Sequence, residues 1–203
     1  MPYIFDTNTI ATLSHYYPKR FPSFWSLFDA AIEAEEVVSV REVLKELENH
    51  TFLQQWLDDW LDEHKPMFHI PSAKEMQFVV EIFKVKQFQA LVGEKQRLRG
   101  SPVADPFVIA CANVSDGTVV TQEVKKEGGS KIPNVCEHFK IKCTNLEDFS
   151  PRMVGSFKHL RTGEISRVAA ICGAGSPQRP GHIIDDVTSP AHAACLKFLS
   201  TVQ

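Results

Sequence analysis

Apolar and polar positions follow two periods along this chain, and the switches between them mark out its elements. Short apolar or β-branched runs with no helical spacing predict buried strands: Tyr3, Ile4 and Phe5, then Val37 and Val38, then Thr118 to Thr121 leading to Glu123. Residues 67–70 and 141–143 predict two further short extended pieces. Spacings of three and four predict the helices. One covers residues 21–34, with Phe24, Leu27, Phe28, Ala31 and Ile32 on a stripe, and another residues 51–64, with Phe52, Leu53, Trp56, Leu57, Trp60 and Leu61. The aromatic stripe of the second is expected to pack in a core rather than to stack nucleobases. Strands alternating with helices in this way point to an α/β fold with a mostly parallel sheet.

The start signals sharpen these boundaries. Thr7 and Asn8 are suited to capping a helix through about Tyr16, which Pro18 closes. Ser39 with Glu42 has the spacing of a capping box, which would occupy Glu42 at the helix start and leave Glu46, one turn on, free to point elsewhere. Ser72 with Glu75 repeats that spacing and predicts a long helix whose apolar face carries Phe78, Ile82, Val85, Phe88 and Val92. Asp105 precedes Pro106 and an apolar run to about Val114, so it is expected to be the N-cap of a buried helix, a role that would by itself explain the residue. Gly117 turns the chain into the β-branched strand, and Asp116 before it reads as a turn residue. Pro133 opens a short helix to Phe139.

Composition narrows the class. A net charge of -3 excludes a generally basic nucleic-acid coat, and no apolar run approaches the roughly 20 residues that span a bilayer. A soluble cytoplasmic protein is expected. The five cysteines, Cys111, Cys136, Cys143, Cys172 and Cys195, form no C-x-x-C pair, and the histidines form no H-x-x-x-H pair, so zinc is not expected and reduced thiols are. Between Lys84 and Arg99 five basic residues face one acid, Glu94. This run reads either as a solvated helix face or as a phosphate-contacting flank, in which Lys95, Arg97 and Arg99, joined by Lys131, would hold RNA. Residues 151–203 carry a net +3 and a linker rich in Gly, Pro and Ser around residues 173–181, and a weak apolar stripe from Ala191 to Val202 reads as a terminal helix. The expected organisation is a domain over residues 1–149 and a partly disordered or loosely packed extension over residues 150–203.

Four acids then stand out by position. Asp6 and Glu123 end or follow strands, and Glu46 and Asp105 lie at or near helix starts, so an open parallel sheet can gather all four at its carboxyl edge, where such sheets bind ligands. Carboxylates held together require a cation, and oxygen-only donors favour Mg²⁺ or Mn²⁺. The segments Tyr3-Ile-Phe-Asp-Thr-Asn-Thr-Ile, SVREVLKEL from Ser39 to Leu47, ADPFVIACA from Ala104 to Ala112 and VVTQE from Val119 to Glu123 together resemble the PIN domain. KIPNVCEHF from Lys131 to Phe139 is similar to a PIN-like subfamily of unknown function.

That resemblance, which covers residues 3–149, implies a three-layer α/β/α fold and a Mg²⁺- or Mn²⁺-dependent endoribonuclease. Asp6, Glu46, Asp105 and Glu123 would be its catalytic and metal-binding acids, with Asn8 and Thr121 as supporting polar residues. A glutamate at Glu123 departs from the commoner aspartate and changes the reach of that ligand. Many such domains are toxins of toxin-antitoxin pairs, so the resemblance also implies RNA as partner, a small antitoxin protein and a homodimer. A binding module that kept the fold without chemistry is the alternative.

Overall fold

The computed structural model describes residues 1–49, 55–93 and 103–149. The account below concerns the compact unit Met1–Leu146. The expected extension over residues 150–203, its terminal helix and Cys172 and Cys195 lie outside the described residues, as do Phe52, Leu53, Lys95, Arg97 and Arg99.

Five strands, β1 (Tyr3–Phe5), β2 (Val37–Val40), β3 (Phe68–His69), β4 (Thr118–Val120) and β5 (Lys142–Thr144), form one sheet in the order β3-β2-β1-β4-β5. All four pairings are parallel, so every strand ends at the same edge. From β1 the chain steps outward to β2 and β3, then returns to the opposite side of β1 for β4 and β5. The order therefore reverses at β1, and the crevice beyond β1 and β4 is the place where open α/β sheets take ligands.

Parallel strands need crossover connections, and the helices supply them. Helices α1 (Thr7–Leu13), α2 (Pro22–Glu33), α3 (Arg41–Glu48) and α4 (Gln55–Glu63) belong to the outward run, and α5 (Ala73–Lys84), α6 (Asp105–Ser115) and α7 (Ile132–Phe139) to the return. Within the layers α1 packs on α3, and α6 packs on both α5 and α7. The three-layer α/β/α arrangement expected from the sequence is present.

The short central strands are mostly apolar because both faces are covered: Ile4, Phe5, Val119 and Val120 are completely buried, as are Val108, Ile109 and Ala110 of α6. Gly117 is required where α6 turns into β4. A Cβ there would lie 2.3 Å from Ile4 Cδ1 and 2.7 Å from the Pro2 carbonyl oxygen. Asp116 just before it takes the left-handed conformation, φ 50°, as a turn residue should. The aromatic stripe of α4 packs inward as expected. Trp60 stacks on Phe28 with centroids 5.9 Å apart, and Trp25 meets Trp56 and Trp60 edge-on at 5.2 and 5.3 Å.

Three expectations need correction. The long helix from Ser72 is shorter than its apolar face suggested: α5 ends at Lys84, Val85 turns extended (φ −78°, ψ 110°), and a 3₁₀ turn over Lys86–Leu91 buries Phe88 and Leu91 instead. Ser39 caps no helix. It is the third residue of β2, its hydroxyl donates to the Phe5 carbonyl at 2.7 Å, and α3 starts after Val40 without a side-chain cap. Nor do Thr7 and Asn8 cap α1, which ends at Leu13 and is capped by the residue before them.

Candidate active site

That capping residue is Asp6. Parallel pairing of β1 with β4 holds its backbone against Val120, and its Oδ1 accepts the Thr9 N–H at 2.7 Å, closing the first turn of α1. Its Oδ2 accepts the Thr121 hydroxyl at 2.5 Å. With only 2% of its surface exposed, the carboxyl is raised above its ordinary range by burial, which outweighs the hydrogen bonds from Thr121 and Thr9, and the charge of Glu123 adds to the rise. Thr121 thus supports a site acid directly, and its hydroxyl also accepts the Glu123 N–H at 3.1 Å.

Glu46 sits one turn beyond Glu42 on α3. Its Oε2 accepts the Thr7 hydroxyl, and its Oε1 accepts the Ala104 N–H at 2.9 Å. It therefore ties the start of α1 to the start of α6. Glu42, freed from the capping box, pairs with Arg41 at 2.9 Å, while its buried Oε2 has no hydrogen-bond partner among the described residues. Of Glu42 and Glu46, only Glu46 is bonded to the elements that carry Asp6 and Asp105.

Asp105 is not the N-cap the sequence suggested. Ala104 holds that position in a helical conformation (φ −87°, ψ −33°), Asp105 is the first helical residue, and no side chain caps α6. Glu46 already takes the Ala104 N–H. No hydrogen bond from a described residue to the Asp105 carboxyl remains to offset its burial, and this group is pushed up to about 7, first by burial and then by the negative charges of Glu123, Glu46 and Asp6, with Lys131 opposing. The sequence-selected acids thus act on one another through Asp105.

Glu123 lies three residues past β4. Its Oε2 accepts the Ile132 N–H at 2.9 Å at the start of α7, and its Oε1 pairs with the Lys131 ammonium. The hydrogen bond to Glu123 in turn raises Lys131 above its ordinary range. Lys131 therefore serves as a counter-ion of the acid group. Asn8 is exposed and lines a cavity of about 360 Å³ with Ala11, Thr12, His15, Gln122 and Glu123.

The sequence reading gave Thr7 only a capping role and passed over Thr9. Thr7 anchors Glu46, and Thr9 is fully buried with its hydroxyl on the Val120 carbonyl at 2.9 Å. Their position in the turn after a strand that ends on an acid was the available signal. His15, two residues past the end of α1, lines the same cavity as Asn8 and Thr12.

Among the described residues no three Asp, Glu, His or Cys side chains stand close enough to hold one metal ion as they are. The donor chemistry nonetheless fits a hard divalent cation: the four acids offer oxygen alone, and Asp105 keeps its negative charge only at a cost that a cation would remove.

Residues 3–153 match the family described as a domain of unknown function (DUF4411). The chain belongs to that family. No curated protein matches this DUF4411 chain. Among solved structures it is similar to VapBC2 from Rickettsia felis, determined bound to a DNA fragment from their promoter, at 17% identity and a TM-score of 0.43. That likeness covers 71% of this chain and 98% of the other. It is also similar to PAE2754 from Pyrobaculum aerophilum, at 15% identity and a TM-score of 0.35, over 69% of this chain and 97% of that one. The four acids of the DUF4411 chain all fall within the matched stretch.

Proposed function

We propose that this protein is a Mg²⁺- or Mn²⁺-dependent endoribonuclease that hydrolyses RNA phosphodiester bonds. The observation that carries the reading is the state of Asp105, a carboxyl with no described hydrogen-bond donor, burdened by burial and by the charges of Glu123, Glu46 and Asp6. Asp6 and Asp105 would hold the cation, with Glu46 and Glu123 completing its surroundings. A bound divalent cation supplies Lewis-acid stabilisation of charge on the phosphodiester and lowers the pKa of an attacking water. Thr121 fixes Asp6 through its hydroxyl, Thr7 and the Ala104 N–H fix Glu46, and Lys131 balances part of the negative charge around Glu123. Asn8, on the wall of the cavity beside Glu123, stands where a substrate strand would enter. Cytoplasmic location, a small antitoxin partner and a homodimer accompany this reading through the resemblance to PIN domains.

Asp6→Asn and Asp105→Asn are expected to abolish Mg²⁺-dependent cleavage of RNA while circular dichroism and the unfolding transition stay cooperative. Cleavage by both variants at the wild-type rate would end the proposal. One observation favours the alternative of a non-catalytic module that binds RNA or a protein: both oxygens of Glu46 and of Glu123 are already engaged by protein donors. Calorimetric titration with Mn²⁺ separates the two, because the module predicts no binding.

A further inference from the structure

Outside the acid group, the structure brings together two thiols that the reading above leaves unused. Cys136 lies on α7 and is completely buried, and Cys143, half-buried, is the central residue of the edge strand β5, opposite Val119. The backbone between them is folded back on itself. Lys140 takes the left-handed conformation (φ 59°) that ends α7, and the Ile141 N–H then donates to the Cys136 carbonyl at 2.8 Å. This closure sets β5 against α7, and alternation along the strand places Cys143 on the face opposite to Lys142 and Thr144. Packing of α7 against β5 brings the two thiols close enough to interact.

We propose that Cys136 and Cys143 form a reversible dithiol–disulfide site that reacts by exchange with low-molecular-weight disulfides. Cys143, the more accessible sulfur, attacks one sulfur of the small disulfide as a thiolate, forming a mixed disulfide and releasing one small thiolate. Cys136 gives its proton to solvent and attacks the Cys143 sulfur. The intramolecular S–S bond forms, the mixed disulfide breaks, and the second small thiol leaves. The protein dithiol loses two electrons, and the small disulfide gains them as two thiols. The neighbouring Cys136 thiol agrees with this order by holding the Cys143 thiol below its ordinary range, against burial and the charges of Asp6 and Glu123. Cys111, buried and held well above its ordinary range by burial and by Glu75, is no competitor.

The bond would staple the two elements that support the acids. The N-terminus of α7 donates the Ile132 N–H to Glu123, and the Thr144 carbonyl of β5 accepts the Thr121 N–H at 3.0 Å.

The test treats the full chain with oxidised glutathione and maps peptides by mass spectrometry under acid quench. The expected product lacks two hydrogens, links Cys136 to Cys143 and returns to the dithiol with excess reductant. Cys136→Ser should instead stop at a stable glutathione adduct on Cys143, and Cys143→Ser should leave Cys136 unmodified. A wild-type chain that retains glutathione on Cys143, that stays unmodified, or that links either residue to Cys111, Cys172 or Cys195 instead would overturn the proposal. Mapping the wild-type chain alone decides the matter if a variant fails to fold, and none of these outcomes depends on nuclease activity.

Discussion

Asp6 and Asp105 each stand at the start of a helix that lines the same sheet edge, yet the fold treats them in opposite ways. Asp6 uses both oxygens, one on the Thr9 N–H that opens α1 and one on the Thr121 hydroxyl. Asp105 sits one position further into α6, caps nothing, and meets burial and the charge of three other acids. A carboxyl with donors stabilises the fold as well as any ligand, whereas one without them costs the fold and is available to a ligand. Burial raises both carboxyls, but only Asp6 has described hydrogen bonds to offset part of that cost.

The largest effect that could break the contrast is the response to pH without divalent ions. The folded Asp105 carboxyl, at about 7, lies above its ordinary value of 3.8, so between those limits the native state binds a proton that the unfolded chain does not. Stability should therefore fall as pH rises from 4 through 7, with Asp105 contributing a slope of at most about 1.4 kcal/mol per pH unit. Urea unfolding in EDTA across this range should show the fall, and Asp105→Asn should flatten it. A wild-type profile that rises through the window would contradict the account.

Side-chain removal comes next. At pH 7, Asp6→Ala should destabilise by about 2 kcal/mol, since it deletes a helix cap and leaves the Thr121 hydroxyl without its acceptor. Asp105→Ala should leave stability within about 0.5 kcal/mol of wild type or raise it, because no hydrogen bond is lost and a costly charge is removed. Equal losses in the two variants, measured by the same denaturant titration, would erase the distinction.

The smallest effect extends the comparison to two serine–glutamate pairs of identical spacing. Ser72 and Glu75 form both bonds of a capping box, whereas Ser39 lies in β2 and Glu42 pairs with Arg41. A double-mutant cycle to alanine should give a coupling of about 0.5–1 kcal/mol for Ser72 with Glu75 and none above error for Ser39 with Glu42.

These pairs also show what could be read from the chain. The spacing of serine and glutamate is a local signal, and it decides a helix start only where the serine's backbone is free to leave the sheet. After Ile70 it is, and Ser72 caps α5. At Ser39 the neighbouring Val40 pairs with His69 of β3, so sheet pairing overrides the cap. Asp105 misled for a related reason. Aspartate before proline favours capping, but Glu46, 58 residues away in the chain, takes the Ala104 N–H and shifts the helix start by one residue. The long helix from Ser72 failed because an apolar stripe looks the same whether an α-helix or a 3₁₀ turn presents it.

The sequence by itself determined the alternation of strands and helices and the apolar character of the central strands, and it nominated Asp6, Glu46, Asp105 and Glu123 as candidate acids. These depend on burial patterns and residue chemistry that are local to each segment. Only the tertiary structure decided which acids carry hydrogen bonds and which does not, that Lys131 answers Glu123, and that Cys136 and Cys143 meet. Those outcomes depend on donors and charges brought from distant parts of the chain by parallel pairing and helix packing, and no spacing along a single segment encodes them.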